Sequence, residues 1–244
     1  MGHARLFIAL TLLIDGLAGL AGALLSERHL RRYQTALVGF AAGALLAAVF
    51  LEVLPEALES FGHGALVWVF SSFVALAIIE WFLGHHHQSE SEPPRALPAT
   101  LLIADALHNI GDGAAVAAAF LVSPGAGLAV GLAVVAHEVP QEVGDYALLR
   151  ASGFPRARAL LALGAVQLTA VLGAAGVVMA AGHFQHVTAA ALSIAAGTFL
   201  YIGATDLLPE VHCGRTSVER RKRMLGFLCG VCIIVLSSAL EFDR

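Results

Sequence analysis

LLIADALHNIGDGAAVAAAF, residues 101–120, and GLAVVAHEVPQEVGDYALL, residues 131–149, are the stretches that decide the fold. Each has the length and apolar content of a helix crossing a hydrocarbon core, which takes about 20 residues. Each also carries acids and imidazoles at its middle, where a charge costs at least about 2.5–3.5 kcal/mol on insertion scales. The rest of the chain is of the same kind. Over 244 residues, 58% are hydrophobic and 13% charged, with a mean hydropathy of +0.81. A soluble domain carries about 25% charged residues, so this chain has too little charge to solvate a globular surface. It is expected to be an all-α integral membrane protein.

Outward from those two stretches, apolar runs recur eight times, at about 6–25, 36–55, 64–83, 97–121, 126–149, 157–181, 187–209 and 222–240. They are continuous, whereas barrel strands would alternate, so eight transmembrane helices of one multipass domain are expected. The first run follows Arg5 but has the length of a full span, longer than a signal-peptide core, and is read as a span. Only 84–96, GHHHQSESEPPRA, has the composition of a disordered insertion.

Basic residues divide the loops sharply. Arg28, Arg31 and Arg32, Arg95, Arg150, Arg156 and Arg158, then Arg215, Arg220, Arg221, Lys222 and Arg223 fall on one side, while Arg5 and Arg244 fall on the other. The rule that basic loops stay inside makes the first side cytoplasmic. Both termini are then expected outside and the histidine-rich loop inside. An internal repeat is also present: Ala41-Ala42-Gly43 recurs as Ala195-Ala196-Gly197, Leu54-Pro55-Glu56 recurs as Leu208-Pro209-Glu210, and Glu52 matches Asp206, all at an offset of 154. The repeats lie in spans two and seven, which cross in opposite directions. The expectation is an inverted repeat of helices 1–3 and 6–8 around helices 4–5, an arrangement found in secondary transporters.

In span four, Asp105, His108 and Asp112 share one helix face, with Asn109 beside them. In span five, His137 and Gln141 share one stripe, and Glu138, Glu142 and Asp145 form the next. A short loop joins the antiparallel spans, so the clusters can meet at one depth. No Lys or Arg lies within either span to neutralise the acids. Imidazole nitrogen with carboxylate oxygen suits Zn²⁺ and its first-row neighbours, and the lack of thiolate argues against a closed structural site. Pro140 frees a backbone carbonyl, while Gly111 and Gly113 let another helix or an ion approach. Asp15 and Gln167 stand isolated in spans one and six and read equally well as packing residues. Glu80 reads as interfacial. His85, His86 and His87 read equally as metal trap or plain loop. Cys213, Cys229 and Cys232 form no disulfide framework, and the CxxC among them lies in an apolar run.

HNIGDG (108–113) and HEVPQEVGD (137–145) resemble the paired fourth- and fifth-helix motifs of the ZIP family of metal transporters, in its branch with a histidine-rich cytoplasmic loop. The resemblance implies a binuclear mid-membrane site. His108, Asp112, His137 and Gln141, with Glu52 from span two, would form the transport position. Asn109, Glu138 and Glu142 would form the neighbouring one, with Asp112 bridging. It also implies import of a divalent metal, most often zinc, by elevator-like sliding of one helix bundle against another. Gln141 and Glu52 stand where the branch usually or often has His, which makes the site richer in oxygen and leaves Fe²⁺, Mn²⁺ and Cd²⁺ open as substrates.

The reading is therefore a divalent-cation transporter, not an enzyme, without a cofactor. Two alternatives stay open: an intramembrane zinc hydrolase and a metal sensor that does not transport. An HExxH enzyme needs a second His at position 141, which is Gln. The expected partners are the cation and the lipid bilayer, with a homodimer left open and no nucleic acid, since the net charge is −4 and no basic block or aromatic platform suggests a nucleic-acid surface. A bacterial inner membrane is the expected location, on the brevity of the chain alone.

Overall fold

The computed structural model describes residues 2–24, 27–83, 98–183, 186–213 and 216–242, and all regular structure among them is helical. The histidine-rich loop and its His85, His86 and His87 lie outside the described residues. In chain order the elements are α1 (Gly2–Leu24), α2 (Glu27–Ala48), a π-helical turn (Val49–Val53), α3 (Leu54–Phe61), α4 (Gly64–Leu83), α5 (Pro98–Val122) and α6 (Pro124–Ala151). They continue with α7 (Arg156–Gln167), α8 (Thr169–Ala181), α9 (Val187–Tyr201), a second π-helical turn (Ile202–Leu207), α10 (Leu208–His212) and α11 (Ser217–Phe242). Four rods are long and apolar enough by themselves to cross a membrane: Gly2–Ala21, Thr35–Phe61, Arg156–Ala181 and Val187–His212.

Polarity is distributed inside out. Leu13, Ile14, Leu17, Phe70, Trp81, Leu161, Leu172, Met179 and Leu236 face outward, while Asp15, Asp105, Asn109, Asp112, His137, Glu138, Glu142 and Gln167 are buried. In water both halves of that arrangement would be unfavourable; in a bilayer the apolar exterior is solvated by lipid. An apolar exterior around a buried polar centre is the distribution of a membrane protein.

The interior is built from small side chains. Ala115, Val116, Ala117, Ala118 and Ala119 of α5 pack into one cluster with Ala129, Val130, Ala133 and Val134 of α6 and Leu45 and Ala48 of α2. Lipid tails are as apolar as the helices, so backbone proximity, more than apolar burial, holds such a bundle together. The closest approaches occur in pairs. A Cβ on Gly39 or Gly43 of α2 would strike the carbonyls of Arg223 or Phe227, and one on Gly226 or Gly230 of α11 would strike those of Ala36 or Phe40. Gly39-xxx-Gly43 and Gly226-xxx-Gly230 thus interlock. Gly113 of α5 and Gly173 of α8 do the same through the carbonyls of Ala170 and Ile110. Gly113 therefore serves helix approach as its sequence context suggests; Gly111 has no described atom within 4 Å of its would-be Cβ.

The hinge between α5 and α6 sets the depth of the site. Ser123 is extended (φ −145°, ψ 151°), its side chain accepts a 3.0 Å hydrogen bond from the Ala126 amide, and Pro124 opens α6. A capping serine followed by proline starts a helix abruptly, so α6 turns straight back along α5. Both Leu-Pro-Glu segments follow a π turn, with Glu52 in the first turn and Asp206 in the second. The two halves related by the offset of 154 thus share a local backbone defect as well as a sequence.

Candidate metal centre

The α5–α6 hairpin brings the two polar clusters together. His108 Nε2 lies 3.1 Å from His137 Nε2, 3.5 Å from Asp112 Oδ2 and 3.7 Å from Glu138 Oε1, and His137 Nε2 lies 3.1 Å from Asp112 Oδ2. One ligand atom from each of these residues falls within 4.8 Å of the others. The rings meet edge to face at 5.2 Å, and Phe199 of α9 covers His137 at 5.9 Å.

Hydrogen bonding decides what this cluster can hold. His137 Nδ1 is 2.9 Å from the Ala133 carbonyl, which can only accept, so Nδ1 carries the proton. In the neutral ring Nε2 is then a lone pair aimed at Asp112 Oδ2. Asp112 Oδ2, Glu138 Oε1 and Asn109 Oδ1 have no hydrogen-bond donor among the described residues. A histidine whose far nitrogen is fixed by a backbone carbonyl, facing buried carboxylates, is the usual outer support of a metal ligand. The donor set of two nitrogens and two carboxylates fits a divalent cation of the zinc kind.

The other expected site residues are placed around this cluster. Gln141 donates to Asp105 Oδ1 at 3.1 Å, and Asn109 donates to the Asp105 carbonyl at 3.2 Å and to Asp105 Oδ1 at 3.1 Å. Asp105 is therefore the acceptor that orients both amides. Glu142 accepts from Gln167 Nε2 at 2.7 Å, and Glu138 Oε2 accepts from the same nitrogen at 2.6 Å. Glu52 accepts from Ser238 of α11. Among the described residues His108, Asp112, His137 and Glu138 form one group of acids and imidazoles.

Two residues read as isolated are not. Gln167, at the end of α7, clamps both glutamates of α6. Asp15 of α1 is 1% exposed, and its electrostatic neighbours are Asp112, His137 and Glu142. The available signal was depth: both sit about ten residues into their spans, level with the two clusters.

The family model described as ZIP Zinc transporter matches residues 95–238, more than half of the chain and including both motifs. The chain belongs to the ZIP zinc transporter family. Among its ZIP relatives, zinc transporter ZIP13 of Pongo abelii is 32% identical over 219 residues, covering 83% of this chain and 66% of that protein. Zinc transporter ZIP4 of Mus musculus is 45% identical over 153 residues, covering 60% of this chain and 23% of that protein. Zinc transporter SLC39A7 of Homo sapiens is 28% identical, covering 88% of this chain and 66% of that protein. The chain thus spans between 18% and 66% of the length of the curated ZIP relatives it matches. The names of these proteins are those of transporters, not enzymes.

Proposed function

We propose that the protein carries a divalent cation, zinc before others, across the membrane into the cytosol by alternating access through the α5–α6 centre. One observation carries the reading. One ligand atom each from His108, His137, Asp112 and Glu138 falls within 4.8 Å of the others inside an apolar bundle. The family membership and the named relatives support zinc as the cargo.

In this reading His108, Asp112, His137 and Glu138 bind the ion directly. Asn109 and Glu142 serve a neighbouring position, and Gln141 tunes the centre through Asp105. Glu52, in the first π turn, serves the approach from outside. α1, α2–α3, α4, α5, α6, α7–α8, α9–α10 and α11 are eight spans, both termini lie outside, and α5–α6 form the axis of an inverted repeat. The shared π turns and Leu-Pro-Glu segments support that symmetry, and an inverted repeat supplies two related states open to opposite sides. Nitrogen with oxygen donors, and amides in the surroundings, suit an ion that must be released. No covalent step and no cofactor are involved.

Zinc-65 uptake into proteoliposomes tests this. Flux that saturates with zinc and is lost in Asp112→Asn supports the reading; no flux from protein that binds zinc and inserts correctly overturns it.

A further inference from the structure

A groove of about 500 Å³ runs down the outside of the bundle between α1 and α7–α8. Leu12, Leu13 and Leu17 line one wall and Leu168, Val171 and Ala175 the other; Arg5 is its one charged lining residue and Gln167 its one amide. The anchoring of the walls makes the gap. Thr11 ties α1 to α6, where a Cβ on Gly131 would meet its Cγ2 at 2.7 Å, while Gly173 ties α8 to α5 through the Ile110 carbonyl. Each wall is thus held by a different helix. At the deep end they meet: a Cβ on Gly164 would lie 3.8 Å from Leu20 Cδ2, and one on Gly19 would lie 3.2 Å from Gln167 Nε2. A Cβ on Gly16 would find nothing within 4 Å, so the groove is already open one turn above that closure.

Arg5 marks the other end. It is exposed, and no hydrogen bond or ion pair engages it among the described residues. From Arg5 to Gly16, α1 rises about 16 Å at 1.5 Å per residue. That is the depth of one leaflet, half of a hydrocarbon core about 30 Å thick. A guanidinium one leaflet above mid-membrane lies at the level of lipid phosphates, which it can grip with two parallel N–H donors. The size of the groove selects its occupant. A helix about 11 Å across would fill about 1,500 Å³ over that length, far more than the groove holds, whereas a single extended acyl chain is thin enough to lie in it.

We infer that the groove between α1 and α7–α8 seats one phospholipid of the outer leaflet, its phosphate on Arg5 and one acyl chain ending against Gln167. The choice of leaflet rests on the orientation in the proposed function; the seat itself does not. Gln167 is 6% exposed, and its Nε2 donates to Glu138 Oε2 at 2.6 Å and to Glu142 Oε1 at 2.7 Å. The end of the chain therefore keeps water from the amide that holds both glutamates, and a hydrogen bond kept dry is a stronger one. The lipid acts as a positioning partner of the metal centre: with the groove filled, Gln167 is steadied and zinc is held more tightly.

Phosphatidylglycerol carrying a diazirine at the end of one acyl chain, mixed into phosphatidylcholine proteoliposomes of the full-length protein, tests the inference. On illumination it should label α1 around Gly16 and α7–α8 around Leu168 well above α4 and α11. In detergent, native mass spectrometry should find one retained phosphatidylglycerol, held about fivefold less tightly by Arg5→Gln. Ala175→Phe, which fills the groove from an exposed position, should lose both the label and the retained lipid; if it does not fold, Gly16→Leu takes its place. Adding phosphatidylglycerol to delipidated wild type should tighten zinc binding at least about fivefold and leave Ala175→Phe unmoved. Labelling spread evenly over the outer helices overturns the inference, as do variants that retain the lipid like wild type, or a zinc affinity indifferent to it. A dimer of the chain that Ala175→Phe breaks makes the occupant a second copy and overturns it too. A wild type that binds no zinc overturns the proposed function instead, and labelling and retention then decide the seat.

Discussion

Asp112 is the carboxylate whose oxygen touches both imidazoles, at 3.5 Å and 3.1 Å. Asp112→Asn keeps its shape and removes the charge that offsets cation desolvation. Zinc flux is expected to fall by at least about 10–100-fold, the scale of losing a metal-supporting group, while the protein still inserts; uptake normalised to reconstituted protein checks this. Gln141→His adds a nitrogen donor one turn after His137 and removes the amide donor to Asp105 Oδ1. The selectivity of uptake is expected to move toward zinc and away from manganese, and competition uptake in wild type and variant measures the ratio. Most residues of this centre were legible from sequence because an acid or imidazole inside an apolar run has few other uses. Their grouping was not. Reading stripes along α6 put Glu138 one stripe away from His137, but small residues let α5 lie so close that both stripes face it, and Glu138 comes within 3.7 Å of His108. Which acceptor each amide would choose depends on rotamers that spacing does not encode, so the link from Gln167 to Glu138 and Glu142 came only with the structure.

Among elements, the rods were legible from apolar length and the breaks within them were not. A π turn holds one residue more than an α turn, and in Val49–Val53 that surplus is one apolar residue among others, invisible to hydropathy. Deleting the exposed Phe50 would restore α geometry and rotate Glu52 by about 100° relative to the chain before it. The expected outcome is unchanged helical circular dichroism with flux lost; retained flux would show that the turn is dispensable. The glycine contacts make a separate expectation. Gly43→Leu would force α2 off the Phe227 carbonyl of α11. Overpacking of this kind costs about 1–3 kcal/mol, so a lower melting temperature in detergent is expected, with zinc affinity in the surviving folded fraction unchanged.

For the whole molecule, the orientation read from its basic loops can be tested with the chain's own chemistry. Cys213 is exposed at the end of α10, next to the loop expected on the cytoplasmic side, whereas Cys229 and Cys232 lie within α11. In a Cys229→Ala, Cys232→Ala background a membrane-impermeant maleimide should label Cys213 in inside-out vesicles and not in intact cells. Replacing His85, His86 and His87 by Ala should leave uptake within about tenfold of wild type, because a loop outside the bilayer can only raise the local concentration of cation by weak attraction. The buried acids have a consequence of another sort. Asp15, Asp105, Asp112, Glu138, Glu142 and Asp145 are packed together, and no lysine or arginine occurs between residues 96 and 149. On the proposed function the bound cation is then also what relieves their mutual repulsion, so the bound state is the sturdier one. With free metal at about a hundredfold over its dissociation constant, the gain is about 2.7 kcal/mol, and thermal melts with and without chelator should differ accordingly. In a cell short of metal, the copies left empty would be the ones to unfold and be degraded first, which makes the lifetime of the protein a gauge of its own supply.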